Sequence, residues 1–70
     1  MMPISLAHPC ENLTIKKVAG SEKMQMHLHN LGFIEGEPIM IVSKINENVI
    51  VKIKGVSLAI TYELANKIYV

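Results

Sequence analysis

The chain has no arginine, no aspartate and no tryptophan, and only one cysteine among its 70 residues. Without arginine there is no guanidinium fork for bases or phosphates. The seven basic residues (Lys16, Lys17, Lys23, Lys44, Lys52, Lys54 and Lys67) are nearly balanced by six glutamates, for a formal charge of +1. Phe33, Tyr62 and Tyr69 are the only aromatics and are scattered, so no base-stacking platform is legible. No nucleic-acid partner is therefore expected, and the lysines read as a solvated set.

Cys10 cannot form an internal disulfide, which suits a reducing compartment. The first ten residues, MMPISLAHPC, have neither a charged leader nor a continuous apolar run. No stretch approaches the ~20 apolar residues of a membrane span. The expectation is a cytoplasmic protein with no direct membrane insertion. Without aspartate, an Asp-oriented triad cannot be assembled, and Cys10 with His8 two residues earlier lacks a third orienting group. No catalytic residue is assigned, and the chain is not expected to be an enzyme.

His8, Cys10, His27 and His29 invite a metal-site reading, but their spacing opposes it. On a helix, positions two apart point about 200° away from each other, so His27 and His29 cannot grip one ion. His8 and Cys10 offer two ligands where a structural zinc site takes four. The reading is therefore no metal site and no cofactor.

What the chain has in quantity is hydrophobic residues, half of the total. That is rich for one small domain spanning 1–70, and some apolar side chains should remain outside for a partner. The organising stretch is MQMHLHNLGFIEG, Met24 to Gly36. Helical spacing puts Met24, Leu28 and Leu31 on one face for a core, with Met26, His29 and Asn30 opposite. Gly32 should end the helix and fold Phe33 back onto Leu28, as in a Schellman closure. Gly36 then reverses the chain before Pro38.

Before the helix, residues 1–12 read as strand or turn, with an extended Pro3–Leu6 segment anchored by Leu6. Leu13–Val18 reads as a strand with Leu13 and Ile15 inward and a bend at Lys16-Lys17. Ser21 is placed to cap the helix, with Glu22 in its first turn. After it, PIMIVSKI and VIVKIK form a hairpin about Glu47, with Val49, Val51 and Ile53 sharing one face. Gly55 turns the chain into a strand over Ser57–Ile60. Thr61 caps a helical turn, YELA, that Asn66 should leave in a left-handed conformation. Lys67–Val70 is the last strand, with Ile68 and Val70 inward. Its edge could pair with a second copy, giving a weak homo-oligomer. The order fits a mainly β fold, a small partly open barrel of about five strands with one inserted helix.

Three segments in sequence order, LGFIEGEPI, KGVSLAI and LANKIYV, resemble FeoA-type domains, SH3-like barrels associated with bacterial ferrous-iron uptake. The resemblance covers Leu6 to Val70. It implies a cytoplasmic accessory or adaptor protein that docks on the cytoplasmic parts of FeoB, the permease with a GTP-hydrolysing domain. Two departures stand out. Pro9-Cys10 occupies a place where the family often has Pro-Gly, and the helix carries Gln25 and His27 where arginines are common. A trans-acting arginine finger is excluded by composition, so any effect on hydrolysis would come through conformation. The partner contact is expected at Met26, His29, Asn30, Phe33 and Ile34, since an exposed methionine makes an adaptable docking residue. The alternative is a detached SH3-like regulatory domain similar to the C-terminal module of metal-dependent transcription repressors.

Overall fold

A computed structural model describes residues 1–70. In chain order the elements are a 3-10 turn (Ile4–Leu6), β1 (Leu13–Thr14), β2 (Lys17–Val18), α1 (Glu22–Asn30), β3 (Pro38–Ile45), β4 (Asn48–Ile53), β5 (Val56–Thr61), α2 (Tyr62–Ala65) and β6 (Ile68–Tyr69). The β-branched residues after Pro38 build an antiparallel meander, β3–β4–β5, to which β1 adds on the β3 side. Each of its turns has two residues. Asn46 takes φ +54 in the first, and Lys54 and Gly55 take +52 and +77 in the second, the mirror-image geometry that matches strand twist. Val49, Val51 and Ile53 are buried in alternation, while Lys52 is exposed.

A second sheet pairs β2 with β6. The strand expected over Leu13–Val18 is therefore split, giving six strands instead of about five. The split is visible in the hydrogen bonds. The N–H of Ile15 donates to Glu37 O (3.0 Å) on the large-sheet side, and the N–H of Lys16 donates to Tyr69 O (2.7 Å) on the other. One chain thus passes from sheet to sheet at a corner, with Ile15 buried at 1% exposure. The result is the mainly β, partly open SH3-like barrel, its core shared by Ile4, Ile15, Leu28, Phe33, Ile41, Val49, Val51 and Ile68.

Several expectations are corrected. Leu6 is 66% exposed, and Ile4 and Ala7 are buried instead, because the 3-10 turn brings residues three apart onto one side. Leu31, expected inward, is 40% exposed, since it is the residue at which α1 ends. Asn66 is right-handed (φ −65°), with its side chain accepting a hydrogen bond from the Ser5 hydroxyl. The Ser5 carbonyl in turn accepts from Lys44 Nζ (2.9 Å). Nor is Val70 a free edge. Its N–H donates to Met2 O (2.9 Å) and its C=O accepts from Met2 N (3.1 Å), so β6 is flanked on one side by β2 and on the other by the start of the chain.

Candidate docking face

The face around α1 is positioned by its two ends. At the start, the Ser21 hydroxyl accepts the N–H of Met24 (3.1 Å), Glu22 stands in the first turn, and Gln25 Nε2 donates to Gly20 O (2.9 Å). At the finish, the N–H of Phe33 donates to Leu28 O (3.0 Å) and that of Gly32 to His29 O (3.0 Å), the double bond of a Schellman closure. Gly32 supplies the φ of +106° that this requires.

That closure decides where the expected contact residues go. Phe33 is drawn under the helix beside Leu28, and both have no exposed surface, so Phe33 belongs to the core and is removed from the contact set. Met26 (60% exposed) and Ile34 (39%) stand outside, Asn30 is exposed, and His29 is half-buried. Leu31 and Glu35 were not foreseen as members. Leu31 adds a third exposed apolar side chain, and its place directly before Gly32 was the available signal. Glu35 meets His29 across the glycine turn.

The His29 Nε2 to Glu35 Oε1 contact, at 3.0 Å, is a hydrogen bond that is an ion pair when the imidazole is protonated, and no other oppositely charged side chains meet. Glu35 is held below its ordinary value of 4.5, first by a hydrogen bond from its own backbone N–H and then by the charge and hydrogen bond of His29. The pair ties the residues after Gly32 back to the last turn of α1. What results is a glycine turn fastened to the end of α1, with Met26, Leu31 and Ile34 exposed on and after the helix and a polar pair between them. An open cleft of about 250 Å³ along the first half of α1 is lined by Ser21, Lys23, Met24 and His27.

The residues considered for metal are apart. His8 and Cys10 lie in the exposed turn before β1, and His27 and His29 leave α1 in different directions. No three histidine, cysteine or acidic side chains are grouped. Cys10 has φ +67°, a left-handed conformation in the turn at Pro9-Cys10, and its N–H donates to Ile41 O (2.8 Å). No helix is long and apolar enough to cross a membrane.

The family model of the FeoA domain matches residues 2–70. The chain belongs to the FeoA family. This is an accessory family of ferrous iron transport. Among solved structures, the chain is similar to an iron uptake regulatory protein, FeoA, with a TM-score of 0.87 and 22% identity over 96% of this chain and 91% of that one. It is also similar to the FeoA of Stenotrophomonas maltophilia complexed with zinc, described as a procaryotic SH3 domain protein and a candidate ferrous iron transport activating factor. There the TM-score is 0.61 with 20% identity, over 83% of this chain and 72% of that one. At such identities the likeness establishes the fold. No curated protein matches. In this FeoA chain the left-handed turn residue is Cys10, at a φ of +67° that a glycine would adopt without strain.

Proposed function

We propose that this FeoA protein is a non-enzymatic cytoplasmic adaptor of a bacterial ferrous iron uptake system, acting as one domain over residues 1–70. It docks on the cytoplasmic parts of the FeoB-type permease and modulates that protein's conformation. The observation that carries this reading is the exposure of three large apolar side chains on and just after α1, Met26, Leu31 and Ile34, at 60%, 40% and 39%. Exposed apolar groups on a framework held by a helix closure and a side-chain hydrogen bond cost little entropy to bind. His29 and Asn30 supply polar contacts at the rim. Without arginine the chain has no finger to lend to GTP hydrolysis, so its effect on the permease runs through shape.

The test is Met26→Glu, titrated against the purified cytoplasmic domain of the permease. A carboxylate in place of this exposed apolar side chain should weaken binding by at least about tenfold. Unchanged affinity would remove this face from the reading. Failure of the unaltered protein to associate would remove the adaptor role itself.

A further inference from the structure

β5 is the outer strand of the four-stranded sheet, paired with β4 along its whole length and with no strand on its other side. The two-residue turn makes Ile53 and Val56 the hydrogen-bonded pair beside it, so Val56, Leu58 and Ile60 bond toward β4. The N–H and C=O groups of Ser57 and Ala59 therefore point away from the sheet. None of them is used by a turn, loop or cap elsewhere in the fold. Protein edges are normally guarded by a charge, a proline, a bulge or brevity. VSLAIT has none of these, being six uncharged residues in unbroken register from Val56 to Thr61.

We propose that β5 pairs antiparallel with β5 of a second copy, about a twofold axis at Leu58, joining the two four-stranded sheets into one. In this register Ser57 exchanges hydrogen bonds with Ala59 of the second copy, and Val56 lies opposite Ile60. Val56 shares the inward alternation of buried Ile60, yet is 54% exposed in the single chain; pairing covers it. On the outer face the opposed side chains, Ser57 and Ala59, are too small to clash.

Charge favours the same occupant. β5 starts beside Lys52 and Lys54, and it ends beside Glu47 and Glu63, which line one cleft with Thr61 and Tyr62. None of these four charges is in an ion pair within the chain. Antiparallel pairing sets the lysine corner of each copy against the glutamate corner of the other, twice over. The contact makes no use of Met26 or Ile34, so it stands or falls apart from the adaptor reading.

One strand pair is a small interface, and dissociation is expected on the order of 10⁻⁴ M. Sedimentation equilibrium from micromolar to millimolar protein should show the mass rising from one chain toward two. Over the same range the Ser57 and Ala59 amides should pass from fast to slowed hydrogen exchange. Lys54→Glu and Glu63→Lys, both at exposed positions, should each weaken association about tenfold as like charges face each other. The double variant should restore it, because opposite charges meet again. A protein that stays monomeric at millimolar concentration would overturn the proposal. So would a dimer indifferent to both reversals with Ser57 and Ala59 still exchanging fast.

Discussion

The β3–β4–β5 meander and the β2–β6 pair are both antiparallel, yet they are held in opposite ways. The meander has strands of six to eight residues joined by two-residue turns, so every partner is a close neighbour in sequence. The smaller sheet has strands of two residues whose partners, Lys17 with Tyr69 and Val18 with Ile68, come from opposite ends of the chain. Closing so long a loop costs chain entropy that two residue pairs would not offset by hydrogen bonding alone. The pairing persists because Val18, Ile68 and Val70 are buried in the same core as the meander, and because Met2 holds the other flank of β6. Side-chain burial can thus make a short, distant strand pair as much a part of the structure as a long hairpin.

The comparison can be broken most directly with matched core truncations. Ile41 in β3 and Ile68 in β6 both have no exposed surface, so Ile41→Ala and Ile68→Ala should each cost about 2–5 kcal/mol in urea unfolding. A cost well under about 1 kcal/mol for Ile68→Ala alone would mean that the closing sheet is an accessory to the meander. A smaller effect of opposite sign is expected at the turn that leads into β1. Cys10→Gly relieves a left-handed residue and should stabilise by about 0.5–1 kcal/mol, read as a rise in thermal midpoint. An unchanged or lowered midpoint would show that the side chain contributes what the backbone loses.

The smallest effect concerns Glu35, which belongs to neither sheet. Its folded-state value lies below 4.5, so its contribution is present above the unfolded value and is lost as pH falls through the folded one. Acidification below about pH 4 should release the residues after Gly32 from α1 while both sheets remain paired. Amide exchange at Ile34 to Gly36 would report it, and Glu35→Gln should abolish that acid step. Loss of β2–β6 pairing in the same step would instead couple the turn to the barrel closure.

The same contrast explains what could be read from residues alone. The meander is written in alternation, in turn residues and in the caps Ser21 and Thr61, all of which act over a few positions and occur where expected. The Schellman closure was legible for the same reason, since Gly32 and Phe33 follow the helix directly. What acts over distance was not. The division of Leu13–Val18 between two sheets depends on Glu37 and Tyr69. The right-handed Asn66 depends on Ser5, and the occupied edge of Val70 depends on Met2. At the candidate face, periodicity put Met26 and Asn30 outside, where they are. Phe33 was read as a contact residue as well as a cap, and the closure that buries it excludes the contact.

Because β6 lies between β2 and the Met2–Pro3 segment, with Ile68 fully inside, the centre of one wall is also the last piece of the barrel to be synthesised. A nascent chain still holding Ile68 in the ribosomal tunnel can form its hairpins and helix, but its interior is open on one side. Completion of the barrel therefore waits until translation has passed β6, and until then the growing polypeptide exposes the apolar surface that Ile68 will cover.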